Sequence, residues 1–126
     1  MPRFDKSKIE ELKEYLYNSS IHDAILENLR YEQGEESLKI ETFNPNFNVK
    51  INFTFYDVRV ALATRGNDFG SRETIISLTV EDFSYLLNYI QKFSESMESS
   101  LYLLFQMLSG DELHIVSREV IVEVTK

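Results

Sequence analysis

The sequence contains no cysteine and no tryptophan, and it has only four glycines and two prolines among 126 residues. Without cysteine there is no disulfide framework, no thiolate nucleophile and no cysteine-ligated zinc site. The few glycines form no phosphate-binding motif, and no HExxH, EF-hand or nucleophile-elbow pattern occurs. These absences exclude several classes of enzyme, and we predict no cofactor, no metal site and no catalytic residue set.

Positive charge is also scarce. Thirteen Lys and Arg stand against 21 Asp and Glu, which gives a net charge of −8. Nucleic-acid backbones and anionic membrane surfaces repel such a chain, so we predict neither as a partner. The acidic surplus favours a basic protein partner and speeds its approach.

Long hydrophobic runs are missing as well. The longest, Leu101–Phe105, is far shorter than the ~18 residues of a membrane span. The N-terminus has no apolar segment of the signal-peptide type, so we expect a cytoplasmic protein. The chain is 43% hydrophobic and has no repeat or linker, which predicts a single domain over residues 1–126.

Two segments have the apolar spacing of helices. The first covers residues 5–18, where Asp5 is a candidate N-cap. The second lies near residues 80–97, where an apolar stripe recurs at helical spacing. Its members are Phe83, Leu86, Leu87, Ile90, Phe93 and Met97.

The remaining segments alternate in the manner of strands. Residues 24–32 and 37–43 predict a hairpin, although Ile21, Ile25 and Leu29 also fit a helix. Residues 49–56 and 58–62 alternate with a shift at Asp57, which predicts a bulge or corner there. Residues 75–78, 101–108 and 113–124 complete the set, with a bulge expected near Ser117. Residues 101–108 also fit a helical stripe, and we favour the strand because a Ser-Gly-Asp turn follows.

These elements predict an α+β fold. We expect an antiparallel sheet of about five to six strands, with one or both helices covering its apolar face.

The two histidines are the first candidates for chemistry. His22 stands next to Asp23, a pair that can act as a general base or supply metal ligands. His114 is out of phase with its apolar neighbours, so we expect it to face solvent or a partner. A small hydrolase or metal-dependent enzyme would use His22, Asp23, Asp57 and His114. The simpler interpretation is that Asp23 caps a turn and His22 forms a structural hydrogen bond.

A locally basic segment follows the long strand pattern. Arg59, Arg65 and Arg72 flank a loop that contains Gly66 and Gly70. Backbone N–H groups of glycine-containing turns, together with arginine, can bind an anion. The alternative is a loop whose arginines offset the acidic surface.

The first half of the chain resembles a group of small acidic bacterial proteins with an "HD-x-x-I, hairpin, I-x-F" arrangement. The matching residues are His22-Asp23-Ala24-Ile25-Leu26, the predicted hairpin and Ile51-Asn52-Phe53. Some proteins of this type are immunity proteins of toxin systems. The resemblance implies an inhibitory binding function and assigns no functional residue.

We therefore predict a non-enzymatic protein-binding domain, of the immunity type, for a basic partner. The predicted contact residues are Tyr85, Tyr89, Glu81, Asp82 and Glu95, because exposed tyrosines and carboxylates are typical of such interfaces. A further alternative is a structural homodimer that pairs through an exposed strand edge at residues 118–125.

Overall fold

The structure, a computed structural model, describes residues 2–34, 36–64, 73–86 and 99–126. The fold is α+β, as predicted. Its described elements, in chain order, are β1 (Arg3–Asp5), a 3₁₀ turn (Lys6–Lys8), α1 (Ile9–Tyr17), β2 (Ile25–Glu32), β3 (Ser37–Asn44), β4 (Val49–Thr64), β5 (Glu73–Val80), α2 (Phe83–Leu86), β6 (Leu101–Met107) and β7 (Glu112–Thr125). No helix among these residues is long and apolar enough to cross a membrane.

The described strands form one antiparallel sheet in the order β1-β7-β4-β3-β2-β5-β6. An additional pairing of β6 with β7 closes the sheet on itself. Strand β1, which the sequence did not predict, pairs with β7 at residues 119–121. Because β4 pairs with the other side of β7 over this stretch, residues 119–121 are not part of the free edge predicted for residues 118–125.

The long strands bend where the alternation of apolar residues shifts. Asp57 has a φ of 53°, and the register between β4 and β7 slips between Val58 and Val60, opposite Ser117 and Val116. This confirms the bulge predicted at Asp57. The predicted irregularity near Ser117 is the same slip, but β4 contributes the extra residue. The bend lets β7 pair with β1 along one half and with β6 along the other.

The main core fills the inside of this closed sheet. Phe53, Phe55 and Phe105 are buried there, and the rings of Phe53 and Phe105 meet edge to face at 5.4 Å. Helix α1 adds Leu12 and Leu16, both buried, to the same cluster. Burying each large apolar side chain contributes about 1.5–3 kcal/mol.

The predicted elements agree with the structure in most places. The hairpin of β2 and β3 and the strand at Leu101–Met107 are confirmed, and the helical alternatives are wrong for both. The first helix begins at Ile9 rather than at Asp5. The Asp5 carboxylate nevertheless caps the preceding 3₁₀ turn by accepting the Ser7 N–H at 2.9 Å. Of the second predicted helix, the structure describes Phe83–Leu86 as helical, and residues 87–97 lie outside the described part.

Candidate functional site

His22 and Asp23 lie in the exposed turn between α1 and β2. His22 Nδ1 is 3.2 Å from Asp23 Oδ2, and both side chains are more than half exposed. Asp23 has a φ of 72° and its N–H donates to the Ile75 carbonyl at 2.8 Å. The pair is therefore a solvent-facing contact within a tight turn that ties α1 to β5.

The other two members of the predicted enzyme site lie on β4 and β7. Asp57 accepts a hydrogen bond from Arg59 at 3.0 Å, and His114 is enclosed between the sheet and α2. Within the described ranges, which include all four residues, no group of three or more His, Asp and Glu side chains is arranged to hold a metal ion. The metal site proposed from His22, Asp23, Asp57 and His114 does not form.

His114 is fully buried, so the prediction that it faces solvent or a partner is wrong. The alternation did place His114 on the correct face of β7, since its side chain points away from the core that contains Leu113 and Ile115. However, α2 covers this outer face of the sheet. The ring of Tyr85 stacks on the imidazole at 6.0 Å, and the ring of Phe83 stacks on Tyr102 at the same separation.

A chain of polar contacts crosses this covered face. Gln106 accepts a hydrogen bond from Ser77 Oγ at 2.8 Å, and its own amide donates to Glu112 Oε2 at 3.4 Å. The Tyr85 hydroxyl donates to the same carboxylate oxygen at 2.9 Å. The other oxygen, Oε1, lies 3.2 Å from Nε2 of His114.

Tyr102 completes the chain, with its hydroxyl 2.6 Å from Nδ1 of His114. A neutral imidazole protonated on Nε2 fits both neighbours, because Tyr102 then donates to Nδ1 and the N–H faces Glu112. The Nε2 contact is off the direction of a good hydrogen bond, so Glu112 acts on the ring mainly through its charge. We call Tyr85, Tyr102, Glu112 and His114 the outer cluster.

The protonation of His114 follows from its burial. Burial lowers the pKa of His114 below its usual value, and the nearby Glu112 carboxylate offsets only part of this effect. The imidazole is thus neutral at pH 7, because desolvation disfavours its charged form. A neutral imidazole can act as a base only on a group within hydrogen-bond reach. His114 has no exposed surface. Because Tyr85 of α2 is hydrogen-bonded to Glu112 of β7, the outer cluster fastens α2 to the sheet.

The predicted partner-binding residues differ in their burial and in their hydrogen bonds. Tyr85 is half-buried and hydrogen-bonded to Glu112, whereas Asp82 is exposed and accepts the Ser84 N–H at 2.6 Å. The hydrogen bond from the Ser84 side chain, and after it the one from the Ser84 N–H, hold the pKa of Asp82 below its usual value. Glu81 accepts a hydrogen bond from Thr79 at 2.9 Å. Tyr89 and Glu95 lie outside the described residues.

An open groove runs between α1 and β5. It has a volume of about 560 Å³, which is within the range of ligand sites. Leu16 and Tyr17 form the α1 wall, and residues 76–80 form the β5 wall. Tyr17 stands at the rim with 89% of its surface exposed. We call this cavity the α1–β5 groove.

A second cavity, of about 590 Å³, adjoins the first and shares Lys13 and Val80 with it. Glu81 and Asp82 line this second cavity together with Lys6. The Lys6 ammonium lies 5.2 Å from the centre of the Phe83 ring. The two cavities are therefore neighbours, and we call them together the cleft. Tyr17 lines one end of it, and Asp82 and Lys6 line the other.

Of the predicted anion site, only Arg59 lies within the described residues, since Arg65 and Arg72 are outside them. Arg59 lines a cavity of about 300 Å³ together with Lys6 and Arg118. The carboxylates of Asp5 and Asp57 line the same cavity, and the Arg59 guanidinium is paired with Asp57. An anion would meet carboxylates as well as cations there.

Neither Tyr17 nor the α1–β5 groove was predicted from the sequence. A signal for Tyr17 was present, because a tyrosine off the apolar stripe of a short helix faces outward. The groove had no such signal, because residues far apart in the chain form it.

The chain matches no model of a known protein family, and a comparison with curated proteins also gives no match.

Proposed function

We propose that this protein is a non-enzymatic binding protein for a basic partner protein, of the kind that an immunity-type inhibitor represents. One surface of α1 supports this proposal most directly. Glu10, Glu14 and Tyr17 are exposed, and their spacing of four and then three residues brings them to one helical face. We call these three residues the acidic tyrosine face.

This surface suits a cationic protein. An exposed tyrosine provides a large contact area at low entropic cost, and its ring attracts the guanidinium of an arginine. The two carboxylates beside it attract the same side chain, although Lys13 lies 3.6 Å from Glu10 and offsets part of their charge. At the far end of the cleft Glu81 and Asp82 are accompanied by Lys6 and Lys13, so that end adds no net charge.

The net charge of −8 extends this attraction over a longer range. If the partner is an enzyme that acts on nucleic acid, carboxylates at its basic site would take the place of substrate phosphates. The proposed inhibition is of this competitive kind.

The test is capture of a partner by immobilised protein from an extract of the native host. The double variant E10K/E14K reverses the charge of the acidic tyrosine face. A matched control, E36K/E123K, has the same net charge but changes exposed residues on the β2–β3 turn and on β7. We expect the wild type and the control to retain a basic protein that E10K/E14K loses. The expected loss of affinity is about tenfold or more, because like charges at an interface cost several kcal/mol.

Two further measurements sharpen this test. Retention is expected to fall as NaCl rises from ~0.1 M to ~1 M, because the Debye length shrinks from about 10 Å to about 3 Å. Adding the protein is expected to abolish the activity of the captured partner. Retention of no basic protein, or equal retention by the two variants, would contradict the proposal.

A further inference from the structure

The α1–β5 groove is lined by an unbroken run of β5 residues, Ile76 to Val80. Successive side chains of a strand point to opposite faces of the sheet. A cavity on one face would therefore touch every second residue. Because this cavity touches all five, it runs along the edge of β5 rather than over a face.

The hydrogen-bonding pattern identifies which edge this is. β6 pairs with β5 up to Val80, and the next residue, Glu81, donates its N–H to the Tyr102 carbonyl at 2.9 Å. Backbone groups alternate between the two sides of an antiparallel strand. The N–H and C=O of Leu78 and Val80 therefore point away from β6 and towards the groove.

No described strand pairs with this edge beyond its first residues. β2 pairs only with Glu73 and Thr74, and Ile75 donates to the Ala24 carbonyl and accepts from the Asp23 N–H. Before Asp23 the chain belongs to the turn that precedes β2 and no longer follows this edge. From Ile76 onward the edge borders the groove, and α1 forms the opposite wall.

The walls of the groove suit an extended, largely apolar segment. Leu16 and Ile21 are buried at its base, and Tyr17 and Ile76 are exposed at its rim. Residues 76–80 span about 16 Å, which corresponds to roughly five residues of a partner strand. At the β5 terminus the cleft continues to Glu81 and Asp82, which Lys6 and Lys13 accompany, so the charges at that end are balanced.

We infer that the α1–β5 groove binds an extended segment of the basic partner as an additional strand on the edge of β5. The inference rests on the proposed function, since it states how that partner is bound. The segment has alternating apolar residues, which fit the apolar walls of the groove. Main-chain hydrogen bonds supply affinity and the side-chain positions supply specificity in this mode of recognition. A second copy of this chain is a poorer occupant, because two chains of net charge −8 repel each other.

The test selects binders from a phage-displayed library of random twelve-residue peptides, using the intact protein as bait. The best peptides are then synthesised with N-methyl groups at successive backbone positions, one at a time. Each N-methyl group removes one hydrogen-bond donor. We expect methylation at every second residue to weaken binding, by up to about tenfold for each position. Methylation of the intervening residues is the matched control and is expected to change the affinity much less.

The variant L78P tests the same edge from the side of the protein. Proline at this position lacks the N–H that faces the groove and keeps the side that pairs with β6. We expect the selected peptides to bind L78P at least tenfold more weakly. An ¹H–¹⁵N spectrum verifies that the variant is folded, and the N-methyl series gives the answer independently if it is not.

The outcomes separate this inference from the proposed function. Selection of no peptide that depends on the β5 edge, or an N-methyl series without alternation, overturns strand addition. The capture of a basic partner would then still support the proposed function. Conversely, edge-binding peptides without any captured basic partner would leave the groove assigned and the proposed function refuted. A dimer in sedimentation that L78P abolishes would assign the edge to a second copy and overturn the inference.

Discussion

The inner and outer faces of β6 and β7 are both buried, but they are built from different kinds of side chain. On the inner face Phe105 and Ile115 contact only the apolar core. On the outer face Tyr102 and His114 lie under α2. The Tyr102 hydroxyl contacts His114 Nδ1, His114 Nε2 lies near Glu112, and the Tyr85 hydroxyl donates to Glu112. Burial alone stabilises the inner face, whereas the outer face also needs each polar group to keep its partner.

The difference shows how the alternation of polar and apolar residues along a strand can mislead a prediction of exposure. A polar residue between apolar ones is typical of a strand with one face in water. In β7 the polar residue His114 is buried as well, because aromatic side chains, including that of Tyr85, cover it. The following predictions test the contrast between the two faces, from the largest expected effect to the smallest.

The inner face is expected to be the more sensitive to truncation. Phe105→Ala removes a fully buried ring that contacts Phe53 and Phe55. We expect the free energy of unfolding to fall by about 3–5 kcal/mol, because a cavity remains in a packed core. Urea denaturation followed by circular dichroism measures this change. A loss below about 1 kcal/mol would mean that the closed sheet does not enclose this ring.

On the outer face, deletion of one oxygen atom is expected to matter. Tyr102→Phe keeps the ring but removes the hydroxyl that lies 2.6 Å from Nδ1 of His114. We expect a loss of about 1–3 kcal/mol, because a buried acceptor loses its donor. Tyr31→Phe is the matched control, since Tyr31 is 56% exposed, and its effect is expected within about 0.5 kcal/mol. Equal effects of the two substitutions would show that the outer cluster does not stabilise the fold.

The outer face is also expected to make stability depend on pH. The folded state lowers the pKa of His114, chiefly through burial. The unfolded state therefore binds a proton first as the pH falls below about 6.5, and stability decreases there. The slope from this residue is at most about 1.4 kcal/mol per pH unit, and it disappears once the folded state is protonated too.

The measurement compares the wild type with His114→Gln in urea denaturation at pH 7.5 and pH 5.5. The difference between the two proteins isolates the contribution of His114 from that of the many carboxylates. We expect the wild type to lose more stability than the variant on acidification. An equal loss, or a larger loss in the variant, would contradict the burial of a neutral imidazole.

The smallest effect is expected where the sheet faces water. Arg30 forms ion pairs with Glu32 at 3.1 Å and with Glu41 at 3.0 Å, and about half of its side chain is exposed. Such pairs contribute little, so Arg30→Ala is expected to change the free energy of unfolding by less than about 1 kcal/mol. The change is expected to shrink further in ~1 M NaCl, where surface charges are screened. A loss comparable to that of Tyr102→Phe would indicate that this network is part of a buried interface.

Much of the fold was predictable because it is encoded locally. The alternation in residues 49–56 and 58–62 and its shift at Asp57 predicted strands joined by a bulge or corner. The structure has one strand, Val49–Thr64, with a bulge at this place. The turn at residues 33–36 predicted the hairpin of β2 and β3. Strand β1 was missed because three residues carry too short a pattern, and its pairing with β7 becomes visible only in three dimensions.

The candidate site was less predictable. Glu81 and Asp82 were chosen for their charge, and they line the charged end of the cleft. His114 was assigned to the correct face of its strand but to the wrong environment. Tyr17 was overlooked, because its significance depends on the β5 edge that lies across the groove.

The sequence by itself determined the type of most described elements, the position of the main bend and the net negative charge. These properties depend on residues that are close together in the chain, or on composition alone. Only the tertiary structure decided that the sheet closes through β6 and β7, that His114 is buried, and that the edge of β5 faces α1 across an open groove. Each of these three features depends on contacts between distant segments. The free energy of those contacts depends on how well the assembled surfaces fit together.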